Sequence, residues 1–124
     1  MYAEAITAFQ SAISLSKTAD FPEGKPEMVA ALGHAYAVSG RKSEALKIIE
    51  QLKELINRQS YVSPYSVALI YAGLEDKDRA FEWLDRAYTE RDESFIHLKV
   101  DPRLDALRSD PRFTERLQLI KLAP

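Results

Sequence analysis

The sequence predicts an all-α protein made of repeated helical hairpins that end in short capping helices, and two observations support this fold class. Apolar residues recur one helical turn apart, as in the pair Leu32 and Tyr36 and the pair Ala45 and Ile49. The same pattern returns about thirty-five positions later, and a fixed period in the thirties is typical of stacked helical repeats. The matching pairs are Leu32 and Val67, Gly33 and Ala68, Tyr36 and Tyr71, Ala37 and Ala72, Ala45 and Ala80, Ile48 and Trp83, Ile49 and Leu84, and Leu52 and Ala87.

The chain opens with half of such a hairpin. An amphipathic helix is predicted from Tyr2 to Lys17, and its apolar stripe matches the second helix of the later hairpins. Nothing in the sequence before it supplies the first helix of that pair. A loop is expected from Thr18 to Lys25, because Pro and Gly together interrupt helices. The residues of the stripe are Ala5, Phe9, Ala12 and Ile13.

The first complete hairpin is predicted from about Pro26 to Arg58. Pro26 suits the first helical position, where its missing N–H costs nothing, and Gly40 ends the first helix of the pair. Gly33 on one helix and Ala45 on the other are small, so the two backbones can approach closely. This hairpin is therefore expected to pack tightly.

A second hairpin follows with clear local signals. Ser63 followed by Pro64 predicts an N-cap and a first turn, and this helix should continue to Leu74. Asp76 is the expected N-cap of the next helix, which should end near Glu90. The second hairpin is therefore predicted with the same helix order as the first.

Two Asp-Pro pairs, Asp101-Pro102 and Asp110-Pro111, predict two short helices at the end of the chain. Terminal repeats need a polar outer surface, so these helices should turn apolar residues inward and charged residues outward. The inward residues are expected to be Leu104, Leu107, Phe113, Leu117 and Ile120, and the outward residues Arg112, Glu115, Arg116 and Lys121.

Composition limits the class of protein. The 124 residues suit one domain, and 46% apolar and 29% charged residues are ordinary values for a globular protein. A net charge of −2 with mixed signs gives no footprint for nucleic acid or for an anionic membrane, so neither is an expected partner. The chain has no cysteine, and no run of apolar residues is long enough to cross a membrane. A cytoplasmic location is expected.

The two complete hairpins resemble tetratricopeptide (TPR) repeats. Leu32, Gly33, Tyr36, Gly40, Ala45 and Ile49 stand at that family's small and large positions, and the second copy has Val67, Ala68, Tyr71, Ala80 and Leu84 there. The resemblance implies a right-handed α–α superhelix with a half repeat at 1–17, repeats at 26–59 and 61–94, and a helical cap at 95–124. The second copy departs from the pattern at Glu75, where the family has a turn glycine.

The resemblance also implies a function and a context. TPR domains bind peptides or protein segments in the groove lined by the first helix of each repeat. The tail from Leu98 to Phe113 is similar to the segment that closes many bacterial TPR regions at the ends of signalling proteins. In the variety that grips a terminal carboxylate, lysine and asparagine line the groove. Here those positions hold Ala30, His34, Tyr65 and Leu69, so that specificity is not expected.

A partner-binding groove is the main functional hypothesis. Its residues lie out of phase with the core stripe, so a helical array should leave them lining its hollow, where exposed apolar groups indicate a binding surface. The alternative is that the terminal helices fold back and cover them. Affinity is expected from the surroundings of Tyr65 and Leu69, and orientation from the polar groups. The proposed groove residues are Glu27, Ala30, His34, Val38, Tyr65 and Leu69.

Three other hypotheses remain open at this point. The apolar face of the first helix, Ala5, Phe9 and Ile13, should be exposed in a monomer and could join two chains. The chain could instead be a structural or oligomerisation segment whose hollow is filled by its own tail. The third hypothesis is that the chain is a small-ligand receptor or an enzyme that uses His34 with Tyr65. No catalytic, metal-ligating or cofactor-binding motif is found in the sequence, so none of these sites is expected.

Overall fold

The computed structural model describes residues 2–19, 24–58 and 61–122, and within these ranges the chain forms helices and no strand. The all-α class is confirmed. The α-helices are α1 (Tyr2–Ser16), α2 (Pro26–Val38), α3 (Lys42–Asn57), α4 (Pro64–Gly73), α5 (Lys77–Thr89) and α6 (Pro111–Leu122). Two 3₁₀ helices, Glu93–His97 and Pro102–Leu107, precede α6.

The helices begin where the local signals predict. The Ser63 hydroxyl accepts a hydrogen bond from the Ser66 N–H at 3.4 Å, and the Asp76 carboxylate accepts one from the Arg79 N–H at 3.3 Å. Both are N-cap contacts that satisfy a donor left unpaired at the helix start. The middle of the predicted loop, Asp20 to Glu23, and the linker residues Gln59 and Ser60 lie outside the described residues. The first 3₁₀ helix was not predicted.

Three helices end in the same way, with a residue in the left-handed conformation. Gly40, Glu75 and Arg91 have φ angles of 85°, 61° and 58°. After α2, the Arg41 N–H donates to the Tyr36 carbonyl at 2.9 Å, and after α4 the Asp76 N–H donates to the carbonyl of Tyr71 at 3.0 Å. Inside each of these bonds, the left-handed residue donates its own N–H to a carbonyl three positions earlier. The two bonds together form the Schellman motif that ends many helices. Asp92 N–H to Ala87 carbonyl, at 2.8 Å, repeats it after α5.

The chain divides into two compact units, residues 1–62 and 63–124. In the first unit α2 packs against both α1 and α3. Gly33 is buried in α2, and Ala45 in α3 is fully buried, as the close packing of this hairpin requires. The other large contributors to the core of this unit are Ile6, Ile13, Val29, Leu32, Tyr36, Ile48, Ile49 and Leu52.

In the second unit α4 and α5 form the other hairpin, and three shorter elements pack around it. The first 3₁₀ helix and α6 contact α5, whereas the second 3₁₀ helix contacts α4. Ala68 and Ala80 are fully buried, like their counterparts in the first hairpin. The core of this unit also contains Tyr65, Val67, Leu69, Ile70, Tyr71, Phe81, Leu84, Phe95, Leu98, Leu104, Leu107 and Phe113.

The terminal helices match the prediction in their apolar residues but not in their arginines. Leu104, Leu107 and Phe113 are buried as expected, Leu117 is half-buried and Glu115 is exposed. Arg112 and Arg116 were expected to face outward, yet both guanidinium groups lie over the Phe81 ring of α5, at 4.5 and 5.1 Å from its centre. The side chains of Ile120 and Lys121 lie outside the described part of the structure.

The arginines of α6 face α5 because it offers them both an aromatic ring and carboxylates. Arg116 forms two hydrogen bonds with Asp85, at 2.9 and 2.8 Å, and Arg112 forms one with Asp78 at 2.8 Å. A guanidinium group can bind a ring through its face and acids through its edge at the same time. Among the described helices, none is both long and apolar enough to cross a membrane.

Candidate functional site

The proposed groove residues of α2 form a narrow strip in the first unit. Glu27 is exposed and His34 and Val38 are half-buried, whereas Ala30 is buried with 4% of its surface exposed. The helix α2 packs against helices on two sides, and Met28 and Ala31 are its other partly exposed residues. The strip therefore presents one carboxylate, one imidazole and one aliphatic side chain.

The proposed groove residues of α4 are not accessible in the second unit. Tyr65 and Leu69 keep only 2% and 4% of their surfaces exposed. The second 3₁₀ helix packs against α4, and the Tyr65 hydroxyl donates a hydrogen bond to the Asp101 carboxylate at 2.8 Å. This is the arrangement that the sequence analysis gave as its alternative, in which the tail folds back over the hollow.

Asp101 is the most heavily hydrogen-bonded carboxylate at this contact. One oxygen accepts from the Tyr65 hydroxyl and from the Arg103 guanidinium at 2.8 Å each, and the other accepts from the Arg103 backbone N–H and side chain at 3.0 and 2.9 Å. Burial opposes the charge, but the hydrogen bonds from Arg103 and Tyr65 outweigh it and lower the pKa of Asp101. Asp101 is therefore a charged, fully satisfied acceptor.

The same contact affects the tyrosine in the opposite direction. Burial, and then the hydrogen bond to the Asp101 carboxylate and its negative charge, raise the pKa of Tyr65 far above its ordinary value. The Tyr65 hydroxyl therefore remains protonated and acts as a donor. It is unsuited to act as a general base near neutral pH.

Tyr65 is held at its backbone as well. Its N–H donates to the carboxylate of Asp92 at 3.1 Å, and the Ser63 hydroxyl donates to the same oxygen. The other oxygen of Asp92 accepts from the Ser94 N–H at 2.9 Å, at the start of the first 3₁₀ helix. Asp92 therefore joins the beginning of α4 to the segment that follows α5.

Arg108 stabilises the segment that carries Asp101. Its guanidinium donates to the carbonyl oxygens of Lys99 and Asp101 at 2.8 and 2.7 Å and to the Asp105 carboxylate at 2.7 Å. The same group lies over the Phe113 ring, 5.3 Å from its centre. One side chain thus connects both ends of the second 3₁₀ helix to the start of α6.

The predicted self-association face of α1 is largely covered by α2. Ile13 is buried, and Ala5 and Phe9 are half-buried rather than exposed. Ile6, which the sequence analysis did not place in the stripe, is also buried, and the Gln10 side-chain amide donates to the Tyr36 hydroxyl at 3.0 Å. The expectation that Ala5, Phe9 and Ile13 would be exposed in a monomer was wrong, because α2 packs against α1.

Two open concavities border α3 in the first unit, and the sequence analysis predicted neither. The larger, of about 580 Å³, is lined mostly by charged and amide side chains, and the smaller, of about 280 Å³, includes Val29 of α2. Neither contains a predicted groove residue. The larger is lined by Leu46, Lys47, Glu50, Gln51, Lys53, Glu54 and Asn57, and the smaller by Val29, Gln51, Glu54, Leu55 and Arg58.

No group of three or more His, Cys, Asp or Glu side chains within the described residues is arranged to hold a metal ion. A comparison of the chain with protein-family models, curated proteins and solved structures finds no match in any of the three. The resemblance to TPR repeats therefore rests on the residues and hairpins of this chain alone.

Sequence reasoning found Asp101 only as a helix cap and did not find Asp92. Asp101-Pro102 is a local signal that can be read within a few residues, and the Asp101 carboxylate does accept from the Arg103 N–H. Its second role depends on Tyr65, 36 positions earlier, and no local pattern indicates that contact. For Asp92, the available signal was an acidic residue two positions before Ser94, which is typical of an Asx turn.

Proposed function

We propose that this chain is a non-catalytic protein-interaction module of TPR-like hairpins, belonging to a larger bacterial signalling or regulatory protein. Its partner is a peptide or helix that contacts the first helix of a hairpin. The observation that carries the proposal is the repeated construction of the two hairpins. A repeat whose copies share core positions and helix ends is typical of solenoids, whose long surfaces bind other proteins.

The repetition extends from sequence to hydrogen bonds. The small residues Gly33 and Ala45 and their counterparts, Ala68 and Ala80, are buried in the two hairpins. In both hairpins the turn contains a left-handed residue, and the N–H of the next residue donates to the carbonyl of an equivalent tyrosine. These features support the proposal of TPR-like repeats. The right-handed superhelix is part of the same proposal.

The α2 strip is the surface proposed to meet the partner first. Glu27 and His34 supply polar groups that orient a ligand, and Val38 adds apolar surface at the end of the helix. Glu27 is exposed and Val38 is half-buried, so a partner can reach them without rearrangement of the first unit, whereas His34 is half-buried with its Nε2 atom directed into the protein. The proposed contacts of α4, Tyr65 and Leu69, require a rearrangement of the second unit.

Site-specific photo-crosslinking in the cells that produce the protein tests this function. A photoreactive amino acid at Glu27 or His34 should give one discrete adduct with another protein, and the same group at Glu82 on α5 should not. Glu82 is exposed and charged like Glu27, so it is a matched control for surface reactivity. Equal labelling at all three positions would reject the α2 strip as a binding surface.

A second candidate function is a structural segment whose binding face is filled by its own tail. The burial of Tyr65 and Leu69 favours it. In that case no adduct should form on the α2 strip, and replacing residues of the tail should affect stability alone. Light scattering adds a further distinction, because an oligomerisation segment gives a multiple of the 14.1 kDa chain mass.

A further inference from the structure

We propose that residues 101–107, called here the capping segment, occupy a partner site on α4 and imitate the partner. This inference rests on the proposed function and specifies its ligand. The partner would be a short helical turn with an aspartate at its start and leucines three and six positions later. Binding would exchange the internal segment for the external one on the same face of α4.

The capping segment has the features of a ligand for this face. It reads Asp-Pro-Arg-Leu-Asp-Ala-Leu, and its two leucines, Leu104 and Leu107, are fully buried. Residues three apart in a 3₁₀ helix lie almost directly above one another, so both leucines point the same way. The intervening residues, Asp105 and Ala106, are exposed. The segment thus has one apolar edge against the protein and one polar edge towards solvent.

A specific polar contact accompanies the apolar edge. Tyr65 contributes the hydroxyl that donates to Asp101, and Arg103 within the segment neutralises the same carboxylate. In an Asp-Pro-Arg-Leu sequence the arginine neutralises the aspartate of the same segment. The helix α4 therefore needs to supply only one neutral donor, the Tyr65 hydroxyl. An external segment with the same four residues would satisfy Tyr65 equally well, whereas one lacking the acid would leave a buried hydroxyl without its acceptor.

The capping segment is also suited to leave without unfolding its unit. It is a six-residue 3₁₀ helix, Pro102–Leu107, and 3₁₀ helices have poorer hydrogen-bond geometry than α-helices. Local segments of a domain can open at lower free energy than its core, and opening of this segment must expose the buried Leu104 and Leu107. The α4–α5 hairpin, with its own buried core, remains as the platform. When the site is covered in most molecules, the apparent affinity equals the intrinsic affinity multiplied by the fraction of molecules that are open.

The test uses the complete chain and a fluorescent synthetic peptide with the sequence of residues 98–110 as the probe. Leu104→Asp in the chain should expel its own capping segment, while the peptide keeps its leucine. We expect this variant to bind the peptide at least 10-fold more tightly than the unchanged chain. Ala106→Asp is the matched control, because it adds the same charge to the same segment at an exposed position.

Two further variants examine the polar contact. Adding Tyr65→Phe to Leu104→Asp, or using a peptide with Asp101→Asn, should each weaken peptide binding several-fold. Peptide binding by Leu104→Asp no tighter than by Ala106→Asp would overturn the proposal. So would a dimer of the unchanged chain that excess peptide dissociates, because the occupant would then be the tail of a second copy.

Hydrogen exchange of the unchanged chain keeps the proposal testable if Leu104→Asp fails to fold. The amides of the capping segment should exchange at least 10-fold faster than those of α4 and α5 under native conditions. Exchange of all three at one common rate would reject local opening. Adducts on the α2 strip without peptide binding to α4 would reject this inference and leave the proposed function standing.

Discussion

The Tyr65 hydroxyl lies 2.8 Å from the carboxylate of Asp101, although the two residues are 36 positions apart in the chain. This bond connects α4 of the second hairpin to the segment that caps it. Both groups are buried, and the acid is also held by Arg103. The contact is one of those by which the chain covers the face of α4, and it is a direct target for substitution.

Replacing Tyr65 with phenylalanine should lower the free energy of unfolding by about 1.5–3 kcal/mol, the usual value for a hydrogen bond to a charged group. The ring remains in place, so the loss reports the hydroxyl and the desolvated acid. Urea unfolding followed by circular dichroism measures it. Tyr88→Phe is the control, because the Tyr88 side chain is 45% exposed and should change stability very little. Equal effects of the two substitutions would contradict this account.

The two hairpin turns should respond oppositely to exchange of their left-handed residues. Gly40→Ala should cost about 1 kcal/mol, because a β-carbon there meets nothing within 4 Å and only the backbone conformation is penalised. Glu75→Gly should raise stability by up to about 1 kcal/mol, because φ at Glu75 is 61° and glycine adopts it without strain. Thermal unfolding of both variants tests this prediction. Changes of the same sign would contradict it.

Acid should destabilise the second unit through Asp101 and Asp110. The pKa of each is lower in the folded chain than its ordinary value of 3.8, and hydrogen bonds from Arg112 bring that of Asp110 to about 2. The unfolded state therefore takes up protons first as pH falls, so stability present above about pH 5 decreases towards pH 2. Urea titrations across this range should show a smaller decrease for Asp101→Asn. An unchanged pH dependence in that variant would contradict the assignment to Asp101.

Docking of α6 should depend on its arginines. Arg116→Lys keeps the charge but loses the paired bonds to Asp85 and the planar contact with Phe81. We expect faster hydrogen exchange in α6 and a loss of about 1 kcal/mol in stability. Gln118→Lys is the control, because it introduces the same residue at an exposed position of the same helix. Protection of α6 that survives Arg116→Lys would show that apolar contacts alone hold this helix.

The helix positions could be predicted because their signals are local. Pro26, the Ser63-Pro64 pair and Asp76 mark helix starts within three or four residues, and the observed starts agree closely with them. The apolar period also predicted the buried partners within each hairpin. The first 3₁₀ helix has no such period, since its five residues span less than two turns. Its existence depends on the buried Asp92, which accepts from Ser63, Tyr65 and Ser94.

The site was harder to predict, because it depends on which surfaces remain open. Helical phase predicted Tyr65 and Leu69 on a different face from the Val67 and Tyr71 stripe, but all four are buried, and phase does not reveal what covers them. The tail supplies that cover through contacts across 36 positions. Arg112 and Arg116 gave a similar error: their charge suggested solvent, whereas Phe81 and the acids of α5 attract them. A charged residue in a terminal helix therefore does not by itself indicate whether its side chain faces solvent or a neighbouring helix.

The three helix ends closed by Schellman bonds offer positions for attaching labels. Each of these helix ends is closed by main-chain hydrogen bonds around a left-handed residue, which is glycine, glutamate or arginine. The same backbone turn therefore forms with three different side chains, although glycine is expected to adopt it with the least strain. Residues 75 and 91 can accordingly bear dyes, tags or tethers without altering the path of the polypeptide, which makes them the natural attachment points for reporters of motion in this protein.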